Sequence, residues 1–189
     1  MLGIEVPGDA NGRMGWGQRA RGALRAAFRQ EMVLPESAFD ALVRAAVHDP
    51  DPSRNRQFVE PALNAFGRRR VRAALLDYLR TGSDAERAGA VRAWYWTALP
   101  LKLPQVRAEQ ADPEPDDRSV LNREYARAAL EEFVHNEHLD VRRCILPGLA
   151  LSRSAYPEEL HHLVDAATAI ARAHPDDYIR HRIEIQIRQ

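Results

Sequence analysis

The sequence has little of several features on which common enzymes and secreted proteins depend. It contains one cysteine, Cys144, so no internal disulfide can form, which is typical of a reducing compartment. A lone thiol on an apolar helix face is more often a small buried side chain than a nucleophile. Glycine-rich phosphate loops, Gly-x-Ser-x-Gly elbows and cysteine clusters are absent from the sequence. We therefore predict no catalytic, metal-binding or cofactor-binding residue, although an enzyme is not excluded.

Long hydrophobic runs are also missing. No stretch approaches the roughly 18 apolar residues that a membrane-spanning helix needs. The first residues have neither the basic region nor the apolar core of a secretion signal. We therefore expect a cytoplasmic protein that has no membrane partner. Residues 1–14 are rich in glycine, and the sequence leaves open whether they are ordered or disordered.

Lysine is nearly absent, and arginine takes its place. The chain has 26 arginines and one lysine, Lys102, and its formal net charge is zero. Together with abundant alanine, this usage is typical of a GC-rich bacterial genome, such as that of an actinobacterium. A dedicated nucleic-acid-binding domain is usually strongly basic. Nucleic acid is therefore a possible but disfavoured partner.

Four arginines occupy the same position in a recurring pattern. Each lies just inside an expected helix start, after an acidic turn, and apolar residues follow at steps of three and four. The intervals between these arginines are 31, 55 and 38 residues, and the interval of 55 becomes ordinary if residues 100–117 are an insertion. Such periods indicate stacked helix pairs. The four repeat arginines are Arg56, Arg87, Arg142 and Arg180.

The repeated pattern resembles a known family. An acidic or proline turn, followed by a helix with an early arginine and a small apolar inner face, resembles the second helix of a HEAT repeat. The resemblance covers roughly residues 35–189; it is closest in the copies that begin at Asp49 and His174 and loosest at Asp84. It implies that the turn acid and the helix arginine bond between neighbouring repeats.

We predict one all-α domain over residues 1–189, a right-handed α-solenoid of about four HEAT-like helix pairs with an extra N-terminal helix. One pair cannot bury its apolar stripe alone, so neighbouring pairs must stack. Residues 100–117 hold four prolines and end in acids, which favours an exposed loop. Alternating isoleucines make a strand an alternative for the last segment. The extra helix is expected at 15–30, and the pairs at 35–48 with 52–66, 67–80 with 84–99, 118–134 with 139–151, and 157–173 with 176–187.

Two features could form a contact surface. Trp94, Tyr95 and Trp96 are consecutive, so the two indoles of one helix point to different sides and at least one should reach the surface. Such a ring could anchor a protein or stack on a nucleobase, or it could be covered by a neighbouring repeat. The run at 67–72 places arginines in a first helical turn, where the macrodipole favours acids. Phosphate binding could explain these arginines, and pairing with Asp77 or Glu60 is favoured over it.

Two functions remain after this reasoning. The favoured one is a non-enzymatic scaffold that binds another protein on a concave face formed by the second helices. The alternative resembles the HEAT-like alkylpurine DNA glycosylases, small helical bacterial enzymes that hold damaged DNA with aromatic, acidic and basic groups. The aromatic and basic groups have candidates here, but no acid lies in a matching motif. The predicted contact residues are Trp94, Trp96, Arg87, Arg92, Glu60, Arg68, Arg69 and Arg72.

Overall fold

The computed structural model describes Gly22 and residues 34–51, 53–98 and 115–187, with the backbone alone for 115–119. This part of the chain contains eight α-helices and no β-strand, which confirms the predicted all-α class. Three short 3-10 turns, Leu146–Gly148, Arg153–Ala155 and Glu158–Leu160, lie between the sixth and seventh of these helices. The helices are α1 (Ala38–His48), α2 (Arg56–Phe66), α3 (Arg68–Thr81), α4 (Asp84–Ala98), α5 (Pro115–His135), α6 (Leu139–Ile145), α7 (His161–Ala173) and α8 (Asp177–Gln186).

Most predicted helices lie where the apolar periodicity placed them, with two differences. The helix expected at 139–151 ends at Ile145, because Pro147 has no N–H to continue the backbone ladder and the chain turns through Leu146–Gly148. The predicted loop at 100–117 ends earlier than expected, since Pro115 is the first residue of α5, a position that proline favours. The last segment is helical, as predicted for 176–187, and not the alternative strand.

Three other expectations lie wholly or largely outside the described residues. They concern order at 1–14, the extra helix at 15–30, of which Gly22 alone is described and is helical, and the loop over 100–114.

The helices pack in sequential pairs: α1 with α2, α3 with α4, α5 with α6, and α7 with α8. Helices also contact the corresponding helix of the next pair. The first helices form the contacts α1 to α3, α3 to α5 and α5 to α7, and the second helices form α2 to α4, α4 to α6 and α6 to α8. Apolar side chains from all eight helices join one core. None of the described helices is both long and apolar enough to cross a membrane.

Helix α4 is the most enclosed of the second helices. Ala88, Ala90 and Ala93 are fully buried, and these small side chains allow neighbouring helices to approach closely. At Gly89 the approach is closest, because an added Cβ would overlap the carbonyl oxygen of Val47 at the end of α1. Besides its partner α3, α4 packs against α1, α2 and α6.

Three of the four repeat arginines join the two helices of their own pair. The Arg87 guanidinium donates to the carbonyl of Arg80, near the end of α3, at 3.5 Å. Arg142 donates to the carbonyls of Phe133 and Val134 at 3.1 and 3.3 Å, in the last turn of α5. Arg180 donates to the carbonyl of His174, just beyond α7, at 2.5 Å. These carbonyls have no partner within their own helices, so the arginines act as caps.

Arg56 is the exception among the repeat arginines. It pairs with Glu60 of its own helix at 2.5 Å, and its guanidinium lies 5.3 Å from the centre of the Trp96 ring. Arg87 also reaches the next pair, through Glu132 of α5 at 3.4 Å. The acids at the starts of α6 and α8 bond to other arginines: Arg92 reaches Asp140 at 3.2 Å, and Arg143 reaches Asp176 at 2.5 Å. At these two turns the expected repeat arginine is therefore replaced by another residue.

Candidate interaction surface

The exposed side of the second helices brings aromatic rings and paired charges together. Contacts between adjacent second helices hold several of these side chains in place. We call this surface the second-helix row and define it by Arg56, Glu60, Arg92, Tyr95, Trp96, Asp140, Arg143, Cys144 and Tyr178.

Tyr95 and Trp96 occupy the middle of the second-helix row. Tyr95 is 60% exposed, and its ring meets that of Trp96 edge-to-face with centroids 5.1 Å apart. Trp96 is half-buried, and its indole Nε1–H donates to Oδ1 of the fully buried Asn55 at 2.7 Å. This bond fixes the indole between α4 and the start of α2. Tyr95 is therefore an open ring beside a ring that is held in place.

Trp94 does not belong to the second-helix row. It is buried, and its ring stacks on Tyr125 of α5 with centroids 3.9 Å apart and planes 5° apart. The prediction that one indole reaches a surface holds for Trp96, whereas Trp94 as an exposed contact is wrong. Helix α4 is enclosed by several helices, so its exposed stripe is narrow. In the sequence this stripe is indicated by Arg92, a charged residue that lies three positions before Tyr95 and therefore on the same helix face.

Charge pairs join the outer parts of the second-helix row. Arg92 of α4 donates to the Asp140 carboxylate and, at 3.3 Å, to the Cys144 sulfur of α6. Arg143 of α6 binds the Asp176 carboxylate at the start of α8, and it lies 5.9 Å from the centre of the Tyr178 ring. The bond from Arg143 holds the pKa of Asp176 below its usual value.

Cys144 is not an activated nucleophile. Burial raises the pKa of its thiol above the ordinary value, and the nearby Asp140 carboxylate acts in the same direction. The Arg92 cation opposes this shift but does not reverse it. The thiol therefore stays protonated at neutral pH, as a packing residue does.

The basic run at the start of α3 is explained by the end of α4. Arg68 and Arg72 both donate to the carbonyl of Thr97, one of the last residues of α4, and Arg72 also bonds the Thr97 hydroxyl at 2.9 Å. Because α3 and α4 are antiparallel, these cations lie beside the negative end of the α4 dipole. Arg72 is buried, and Arg70 pairs with Glu36. Glu60, which was expected to pair with this run, binds Arg56 of its own helix.

The predicted contact residues therefore divide into two groups. Glu60, Arg92 and Trp96 lie on the second-helix row. Arg69 is exposed on α3, and Arg87 is held by Asp84 and Glu132 at 3.5 and 3.4 Å. The row also contains residues that were not predicted as contacts, among them two exposed aromatic residues, Tyr95 and Tyr178.

Over the ranges that the structure describes, no three His, Cys, Asp or Glu side chains converge as a metal-binding group. No protein-family model matches the chain, and comparison with curated proteins and with solved structures found no match.

Proposed function

We propose that the chain is a HEAT-like α-solenoid of four helix pairs, and that it binds a partner protein on the second-helix row. The solenoid is supported by the order of helix contacts. First helices pack on first helices of the next pair, and second helices pack on second helices. A repeat array requires this nearest-neighbour order, because each pair buries its apolar face against the next.

Exposure of Tyr95 is the observation that carries the binding role. A tyrosine that is 60% exposed in the last turn of a largely enclosed helix adds little to the burial of the core. Its ring contacts the Trp96 indole, which is held by Asn55 and lies 5.3 Å from the Arg56 guanidinium. Tyrosine, tryptophan and arginine dominate the binding energy of protein interfaces, especially where the free protein already fixes their geometry.

The charges of the second-helix row favour a protein over a nucleic acid. Arg56, Arg92 and Arg143 pair with the carboxylates of Glu60, Asp140 and Asp176, so these three arginines offer no net positive charge to a phosphate backbone. Arg68 and Arg72, the cations that a glycosylase-like site would use, bind the end of α4. A partner that buries Tyr95 against an apolar pocket matches the surface better.

The test places a photoreactive amino acid at position 95 and follows crosslinking in lysate of the native host. A discrete crosslinked protein is expected, and Tyr95→Ala should weaken its binding about tenfold or more, the effect of removing an interface anchor. Val120, an exposed apolar residue of α5, provides the matched control at 37% exposure. Val120→Ala should leave binding unchanged, and both variants should keep the helical circular dichroism of the parent.

A second arm of the same experiment examines the nucleic-acid alternative. Binding to duplex DNA, with and without an alkylated base, is measured against salt concentration. We expect no retention at low salt. Retention that falls steeply with salt and is reduced by Arg69→Gln would contradict a protein partner and support the glycosylase class. Crosslinking that is equally strong from positions 95 and 120 would also contradict the proposal.

A further inference from the structure

The turn between α7 and α8 is fastened through a buried histidine. His174 follows the last residue of α7, and 8% of its surface is exposed. Its ring Nδ1 accepts the backbone N–H of Asp176 at 3.1 Å, and its carbonyl accepts from Arg180 of α8. An acceptor nitrogen carries no proton, so the ring is neutral with its proton on Nε2.

The charges that face His174 come from two helices and the turn. Arg142 and Arg143 extend from α6, Arg180 extends from α8, and Asp176 precedes α8. The Asp176 carboxylate is already engaged, because it accepts from Arg143 and from the backbone N–H of Ile179. A protonated ring would therefore lie near three arginine cations, and the one nearby carboxylate is already bonded to other groups.

We propose that His174 is a pH-sensitive fastening of α8, and that protonation of its ring at mildly acidic pH releases this helix from α6 and α7. The proton goes to Nδ1, the acceptor atom, so the bond from the Asp176 N–H is lost and two donors face each other. The turn must then rearrange, and this movement disturbs the Asp176 cap and the Arg180 contact with the His174 carbonyl.

The direction of the pH effect follows from the folded environment. Burial first, and then the cations of Arg142, Arg180 and Arg143, lower the pKa of His174 below the ordinary 6.5, whereas Asp176 acts in the opposite direction. The state in which α8 is released therefore binds more protons, at His174, than the docked state at mildly acidic pH. The stabilisation is complete above pH 6.5 and is lost as the pH falls from there towards the folded pKa.

Release of α8 would remove one end of the second-helix row. Tyr178 and Asp176 would move away from Arg143, which contacts both in the docked state. The inference does not depend on the proposed function, because it concerns the docking of α8 in the isolated protein.

Hydrogen exchange of the α8 amides in the isolated protein tests this inference. Between pH 7.5 and 5.5, the opening constant, corrected for the intrinsic exchange rate, should rise several-fold, with a ceiling of about tenfold that is set by an ordinary histidine in the open state. In His174→Asn the side-chain oxygen replaces Nδ1 as acceptor and does not titrate, so the rise should disappear. His162→Asn alters an exposed histidine of α7 and should retain the rise.

Two outcomes would overturn the proposal. One is an unchanged pH response of α8 in folded His174→Asn. The other is a parent protein whose α8 amides open equally at the two pH values. Should His174→Asn fail to fold, the ring resonances of His174 in the parent decide the question: a midpoint well below 6.5 supports the fastening, and an ordinary midpoint contradicts it.

Discussion

Single side chains decide how closely the helices approach each other. Gly89 has no Cβ, and the space that a Cβ would need is occupied by the backbone of Val47. A backbone obstacle cannot rotate away as a flexible side chain can. The contact between α1 and α4 therefore depends on glycine at this position.

Gly89→Ala should destabilise the protein by about 3 kcal/mol, because α1 and α4 must separate to admit the methyl group. Urea unfolding followed by circular dichroism measures this change. Gly148→Ala is the matched control, since an added Cβ there meets nothing within 4 Å, and it should change the free energy of unfolding by less than about 0.5 kcal/mol. Equal stability of the two variants would contradict the close packing at Gly89.

The sequence alone could not predict which residues of the triplet Trp94, Tyr95 and Trp96 are buried and which are exposed. Helical geometry correctly required the two indoles to separate, but it could not decide which one is buried. That choice depends on Tyr125, which is 31 positions after Trp94 and stacks on it. Tyr95 was not predicted as a contact because its exposure depends on the helices that cover the rest of α4. Local periodicity contains no information on contacts of this range.

Helix ends explain the positions of several buried or half-buried arginines. The last carbonyls of a helix have no intrahelical partner, and an arginine from the antiparallel neighbour satisfies them at the ends of α3, α4 and α5. Repeated spacing was enough to predict helices that begin near the four repeat arginines, and three of these arginines are the fourth residue of their helix. The acceptors could not be predicted, because spacing along one helix does not identify which carbonyls of the preceding helix lie alongside.

Arg142→Gln should destabilise the protein by about 1.5–3 kcal/mol, the usual effect of losing buried bonds from a charged donor. The carbonyls of Phe133 and Val134 would lose this donor, so fraying of α5 near its end should accompany the loss. Arg127, which forms an exposed pair with Glu131 in the same helix, provides the control. Arg127→Gln should cost less than about 0.5 kcal/mol. A thermal or urea unfolding series that ranks the two variants equally would rule out the capping role.

A stack of helix pairs and a closed bundle should respond differently to a mutation that destabilises one helix. In a stack of pairs, each pair depends on its immediate neighbours, and the ends can open separately. In a closed bundle, the same mutation would destabilise all helices together. The order of helix contacts favours the first behaviour.

Ile183→Ala tests this arrangement from the end of the stack. Ile183 is fully buried in α8, and its truncation should cost about 2–4 kcal/mol locally. Hydrogen exchange should accelerate in α7 and α8 while α1 to α4 retain their protection. Ile185, 40% exposed in the same helix, gives a control whose alanine variant should behave like the parent. Uniform acceleration across all helices would contradict the stacked arrangement.

The central position of α4 has a mechanical consequence. This helix touches α1, α2, α3 and α6, and it also presents Tyr95 to the outside. A molecule that binds tightly to the Tyr95 ring should therefore reduce thermal motion in α4 and in the four helices that contact it. Occupancy at one ring should stiffen much of the stack, so tight binding and rigidity are expected to rise together.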